Sequence, residues 1–169
     1  MDPNSKAVRR RKSQVKVELL AAGTRPPGWI GEGFREFQKR LPRESELILR
    51  QWPSARRRKQ DSIVRLQKEE EDNLLKLLHR DAFIVALDRR GKIWSTQELA
   101  LKMKGWLQSH SRVQIMIGGP DGLSSNCLSR ANLIWSLSEL TFPHYLVRVL
   151  VAEQIYRAWS HLNNHPYHK

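Results

Sequence analysis

Residues 82–88 read AFIVALD, a near-continuous apolar run closed by a carboxylate. A segment that is apolar at every position fits a strand covered on both faces, as strands of parallel sheets are. Downstream, Arg89 to Ile93 turn the chain through Gly91. Ser95 or Thr96 with Glu98 then opens a helix whose apolar side is Leu99, Met103, Trp106 and Leu107. Val113 to Ile117 repeats the buried-strand pattern and breaks at Gly118, Gly119, Pro120, Asp121 and Gly122. Leu123 to Leu133 is expected to be helical, Leu137 to Phe142 is a short semi-apolar stretch closed by Pro143, and a last helix covers His144 to Leu162.

Upstream of the same run, Asp61 is the expected N-cap of a long helix that turns Ile63, Leu66, Leu74, Leu77 and Leu78 to one side. Glu46 to Trp52 reads as a strand. Trp29 to Leu41 places Ile30, Phe34, Phe37 and Leu41 at helical steps before Pro42. Val15 to Ala22 is the first strand. Strands and helices therefore alternate, which predicts an α/β fold with a mostly parallel sheet and helices on both faces. In such sheets ligands bind beyond the carboxyl ends of the strands. Those ends are the loops after Asp88, after Ile117 and around Leu137 to Pro143.

The chain has 169 residues, enough to bury roughly 70% of the surface its unfolded form exposes, so neither disulfides nor a structural metal are needed. Its single cysteine, Cys127, excludes a disulfide framework and a Cys-rich metal site and fits a reducing, cytoplasmic setting. No apolar run reaches the roughly 20 residues of a membrane span, and the N-terminus carries charge without an apolar core. Residues 1–14 are expected to form a basic flexible leader and residues 15–169 a single domain. The leader holds five cations (Lys6, Arg9, Arg10, Arg11 and Lys12) against Asp2, out of a net charge of +13. An excess of this size favours polyanions, of which RNA and DNA are the usual ones. The run Arg56, Arg57, Arg58, Lys59 reads as an exposed basic loop that either contacts backbone phosphates or is simply solvated.

There is no GxxxxGK[ST] loop, no GxGxxG after the first strand, no GxSxG elbow and no His/Cys metal cluster. ATP hydrolysis, zinc chemistry and serine hydrolysis are poor candidates. The glycines of IGGPDGL (117–123) suit close backbone approach to a ligand, and equally a turn with positive φ at Gly119 or Gly122. In the last helix, Glu153 and Arg157 stand four apart, a pairing distance, whereas Arg148 inside YLVRVLV has no such partner; the largely apolar helix points to burial in the core or in a subunit interface.

The segments AAGTRPPGW, IVALDRRGK, IGGPDGLS, WSLSELTFPHYLVRVLVAEQIYRAW and NHPYHK together resemble the RlmH family of bacterial 23S rRNA pseudouridine N3-methyltransferases, of the SPOUT superfamily, over Val15 to Lys169. The resemblance implies a C-terminal deep trefoil knot and S-adenosylmethionine as cofactor. It implies that Leu87, Gly118 and Leu137, Ser138, Glu139, Leu140, Thr141 and Phe142 line the cofactor site, with apolar walls burying a neutral adenine. A side chain placed at Gly118 is then expected to fill the cofactor's space and leave the fold intact. It further implies a homodimer whose pocket is completed by the partner's C-terminal tail, and 23S rRNA of the 70S ribosome as substrate. Tyr167 and His168 are the candidates for substrate positioning or proton transfer, Arg148 and Arg157 for anion contacts, and His144 for either. Arg56 to Lys59 are candidates for phosphate contact. No metal and no membrane partner are expected. The readings set against this one are a knotted methyltransferase acting on another RNA, and a basic ribosome-binding protein without catalysis.

Overall fold

The computed structural model describes residues 14–169; the rest of the leader, and the side chain of His168, lie outside the described residues. The chain runs β1 (Val15–Ala22), α1 (Gly28–Gln38), β2 (Ser45–Trp52), α2 (Ile63–Leu75), β3 (Phe83–Ile93), α3 (Thr96–Ser109), β4 (Arg112–Ile117), α4 (Ser125–Ser129), β5 (Leu133–Ser136) and α5 (His144–Leu162), ending in a short 3-10 turn, Pro166–His168. All pairings are parallel and the strand order is β2-β1-β4-β3-β5. The fold is the expected α/β sheet with helices on both faces.

Alternation along each strand sorts the core into two layers. Val17, Leu19, Val85 and Ile115 face α1, α3 and α5, meeting Phe34, Leu99, Met103, Val151 and Ile155. Leu20, Ala22, Ala86 and Met116 face the other way, onto Leu74 of α2, Leu123 of the turn before α4 and Cys127 of α4. Helix starts follow local chemistry. Ser95 and Glu98 close a reciprocal capping box on α3, and Ser62, one residue after the expected Asp61, accepts the Arg65 N–H at the start of α2.

Three elements depart from expectation. First, β3 does not turn at Arg89 but continues to Ile93, with a register shift between Leu87 and Lys92 where it pairs with β5. The bulge turns residues 88–90 out of the ladder at the strand's carboxyl end. Gly91 fits there because a Cβ would stand 2.7 Å from the Ile134 and Trp135 backbone. Second, the helix expected over Leu123–Leu133 is only the five residues of α4. Asn132 ends it by accepting the Ile84 N–H on its side chain at 2.7 Å and donating its own N–H to the Ile84 carbonyl at 2.8 Å, which docks the following residues as β5. Leu137 to Phe142 is consequently loop. Third, Ile63 and Val64 open α2 at 59% and 77% exposure instead of facing the core, and Leu77 and Leu78 follow the helix end.

One polar group lies in the centre of the sheet. The buried Glu18 carboxylate on β1 accepts from Arg50 on β2 at 3.0 Å, and from Arg112 and Gln114 on β4, the latter at 2.7 Å. Gln114 also donates to the Leu77 carbonyl and accepts the His79 N–H, each at 2.9 Å, which ties the end of α2 to the sheet. Burial alone would raise the Glu18 carboxyl, but the Arg50 and Gln114 hydrogen bonds and the two guanidinium charges outweigh it and hold it below the ordinary range. A lowered folded-state value stabilises above the unfolded carboxylate range and is lost as pH falls through the folded one. Glu18→Gln should therefore cost about 3 kcal/mol at pH 7, read as a fall in Tm of about 6–12 °C. The difference from the unsubstituted protein should shrink in acid, below about pH 4.5, the ordinary carboxylate range.

Candidate active site

A cleft of about 800 Å³ opens at the carboxyl ends of β3, β4 and β5, the place where open parallel sheets bind ligands. One wall is the turn from Gly118 to Ser125; the opposite wall and rim are the loop 137–143, and the first turn of α5 enters through His144 and Val147. Leu87, Trp135, Leu137 and Phe142 supply apolar surface, and Leu140 stands at the rim 71% exposed. The loop is shaped by its own serines: Ser136 Oγ donates to the Ser138 carbonyl at 2.9 Å, and the Leu140 N–H donates to Ser138 Oγ at 3.0 Å. Trp135 is fixed from behind by stacking on Trp94, ring centroids 5.3 Å apart.

The glycine turn takes the positive φ expected at Gly119 or Gly122 at the second of them. Gly122 has φ +76°, and its N–H bonds the Gly119 carbonyl at 2.9 Å. Its tip is pinned from α2 by Gln67 Nε2, which donates to the Asp121 carbonyl at 2.8 Å. The neighbouring Glu70 and Glu71 of α2 lie under it in contrasting surroundings. Glu71 accepts from Lys68, Ser124 and Asn126, bonds that bring its carboxyl down to about 2. Glu70 is buried beside Gly119, its nearest backbone donor the Ala55 N–H, and burial, the larger effect, pushes its carboxyl up.

At the cleft edge, Asp88 accepts from Arg90 Nε at 2.8 Å and is held low by that bond. Nε2 of His144 is buried with no hydrogen-bond partner. Burial first, then the charges of Arg148 and Arg57, lower its proton affinity, so the imidazole is neutral at pH 7.

The family described as "Predicted SPOUT methyltransferase" matches residues 15–168. The chain belongs to the SPOUT methyltransferase family. Proteins named Ribosomal RNA large subunit methyltransferase H are similar over 155 residues, 92% of this chain. That of Alkalilimnicola ehrlichii is 49% identical with 99% of its length covered, that of Saccharophagus degradans 48% with 100%, and that of Methylococcus capsulatus 47% with 100%.

On this SPOUT scaffold the residues singled out from sequence fall into three places. The cofactor candidates gather at the cleft: Leu87, Gly118, Leu137, Ser138, Leu140, Thr141 and Phe142 line it, and Glu139 does not. His144 lines it too. Arg148, one turn further along α5, does not: it is wholly buried, donating Nη2 to the Ala22 and Gly23 carbonyls at the end of β1, with its guanidinium 4.7 Å from the Tyr145 ring centroid. That placement corrects the expectation of an anion contact, because no surface of the side chain meets solvent.

Arg157 and Tyr167 form a separate cluster, since the thirteen residues from His144 to Arg157 span about 20 Å of helix. Glu153 Oε1 accepts from Arg157 Nε at 2.8 Å and from the Tyr167 hydroxyl at 3.1 Å, and the Arg157 guanidinium lies 5.1 Å from the Tyr167 ring centroid. The i to i+4 spacing announced the Glu153–Arg157 pair; nothing announced Tyr167 folding back onto it. Among the cations of the basic loop, Arg57 is unlike its neighbours: it pairs with Asp121 through both Nη atoms, while Arg56, Arg58 and Lys59 are exposed and make no ion pair among the described residues.

At Gly118 a Cβ would stand 2.6 Å from the Gly122 carbonyl carbon and 2.7 Å from the Leu123 nitrogen, so a side chain there collides with the turn, against the expectation that it leaves the fold intact. Gly118→Ala should cost about 1–3 kcal/mol by overpacking, seen as a lower unfolding temperature without any cofactor present. For Glu70 the sign is opposite. Its raised folded-state carboxyl leaves both states protonated in acid and costs stability as pH climbs past about 4.5. Glu70→Gln should therefore raise Tm by about 2–4 °C at pH 8, with the gain vanishing near pH 4.

Proposed function

We propose that this protein transfers a methyl group from S-adenosylmethionine to large-subunit ribosomal RNA, at N3 of a pseudouridine in the 23S rRNA of the assembled 70S ribosome. The observation that carries the reading is the cleft itself, at the carboxyl ends of three parallel strands in a SPOUT chain whose relatives are named for large-subunit rRNA methylation. Its chemistry suits the cofactor. The apolar side chains offer two faces for a neutral adenine. The turn 118–122 and loop 137–142 bring backbone groups to its edges, and no phosphate cradle is present or needed. The cofactor, when bound, supplies a methyl on a sulfonium centre for in-line transfer. The reading includes the knotted chain path of the resemblance, and a cytoplasmic protein.

The residues of this chain then have to orient a nucleobase and deal with the N3 proton. In this reading His144, the imidazole that lines the cleft and neutral at pH 7, takes it. Arg157 and Tyr167 meet Glu153, nine residues or about 14 Å along α5 from His144 and away from the cleft of their own chain. The composite dimer resolves this: the tail of one protomer completes the cleft of its partner, where Arg157 offers a cation and Tyr167 a hydroxyl that stays protonated because burial and Glu153 raise it. Arg56 to Lys59 extend the cationic surface along the RNA backbone.

Two measurements test this. Labelled methyl from S-adenosylmethionine should enter 70S ribosomes that carry unmethylated pseudouridine, and not ribosomes with uridine at that site. Labelling of free RNA only, or of no RNA, would sink the substrate assignment. For the composite site, His144→Ala and Tyr167→Ala protomers, each inactive alone, should recover about a quarter of the activity when mixed and allowed to exchange, because half the dimers are mixed and each holds one intact site. No recovery on mixing would place tail and cleft in the same protomer or leave the tail without a role.

A further inference from the structure

The basic loop between β2 and α2 is not a uniform patch. Arg57 alone is locked, its Nη1 3.4 Å from Asp121 Oδ1 and its Nη2 against Oδ2. The acceptor is itself immobilised: Asp121 sits at the tip of the turn that walls the cleft, its carbonyl held by Gln67 and its side chain 14% exposed. Arg57 keeps 42% exposure, and with both Nη ends on the carboxylate its Nε edge is left without a partner. Its charge favours the ionised form of Glu70 and disfavours the protonated form of His144. A half-exposed ion pair adds little to stability. What it does achieve is to hold one guanidinium, planar and always charged, at a fixed place beside the cleft opening.

Resting on the proposed RNA methylation, we propose that Arg57 is the anchor for a backbone phosphate next to the target nucleotide, and that Asp121 is the positioning residue that holds it there. A guanidinium has five donors, so it can keep the Asp121 carboxylate on one edge and take a phosphate on another. Arg56, Arg58 and Lys59 add attraction without register. Because Arg57 and the cofactor wall meet at Asp121, a phosphate seated on Arg57 is placed in a defined relation to the reacting methyl, the kind of alignment on which transfer rates depend.

The test compares Arg57→Ala, Arg57→Lys, Asp121→Asn, Asp121→Glu and Arg56→Ala in methyl transfer to 70S ribosomes, with cofactor affinity read from tryptophan fluorescence, since Trp135 lines the cleft. Arg57→Ala should lower kcat/KM about tenfold or more, with cofactor affinity kept within about twofold. Arg56→Ala should lower kcat/KM only in step with its loss of ribosome affinity. Arg57→Lys should recover little, because a point charge cannot fork. Asp121→Asn should raise KM and lower kcat together, and Asp121→Glu should restore most of both. Equal effects of Arg57→Ala and Arg56→Ala would overturn the proposal, as would a loss of cofactor affinity that matches the loss of kcat/KM, which would make the pair a prop for the cleft wall. If the unsubstituted protein binds cofactor yet methylates no ribosome, the function reading fails instead. The anchor is then judged on an rRNA fragment: Arg57→Ala must reduce the slope of log affinity against log salt by about 0.7–0.9, and an unchanged slope overturns it.

Discussion

A buried arginine ties the start of α5 to the end of β1, beside the cleft. Where β1 ends, the Ala22 and Gly23 carbonyls point into the interior, and buried carbonyls need donors. Arg148 supplies them from α5, with its guanidinium over the Tyr145 ring. Gly23 has φ +93°, and a Cβ there would stand 2.6 Å from the Tyr145 hydroxyl oxygen, so strand end and helix start are mutually fitted. The arrangement is costly, since Nε and Nη1 of Arg148 stay unpartnered and burial lowers its proton affinity. Its effect is that the first turn of α5 can take one position only, and that position brings His144 and Val147 to the cleft. An apolar residue at 148 would fill the volume but leave the two carbonyls unpaired.

Periodicity made the layered sheet legible because each strand and helix buries a complete face, and the apolar runs at 15–22, 82–88 and 113–117 record that directly. It failed where a single hydrogen-bonding side chain overrode the pattern. Asn132 stops a helix that its neighbours would continue and turns residues 133–136 into an edge strand. After Leu87 the apolar run breaks at Gly91, which in sequence is indistinguishable from a turn; the structure uses that glycine for close strand packing at a bulge. Of the site, the loops beyond the strand ends followed from sheet logic, and the identities of the cleft residues came from the resemblance. The partners of the charged residues were legible only at helical spacing, as for Glu153 and Arg157. Arg57 with Asp121 lie 64 positions apart, and Arg148 with Ala22 lie 126 apart, separations at which no local pattern operates.

Helix α5 carries two chemically distinct groups. At its start, desolvated and cationic surroundings keep His144 neutral. Midway along it, Glu153 gathers Arg157 and Tyr167 into a partly buried, hydrogen-bonded group. The proposed reaction needs an acceptor for the N3 proton and a stabiliser for the charge that develops, and the proposed two-fold pairing of copies would bring together these groups, which one chain keeps apart.

Helix α2 plays the corresponding part on the other side of the cleft. Its outward start carries the exposed Ile63 and Val64 beside the cationic loop, while its inward face holds the glycine turn through Gln67 and, by way of Glu71, the start of α4. Glu71 does this as a fully satisfied anion and Glu70, one residue away, as a buried carboxyl without hydrogen bonds. The contrast has a structural logic. A carboxylate that accepts three bonds fixes the turn's far end, whereas a second charged anchor under Gly119 would draw Arg57 inward, away from Asp121. With its carboxyl pushed toward the neutral form by burial, Glu70 competes weakly for that guanidinium, which stays on the outer side of the turn, where the cleft opens.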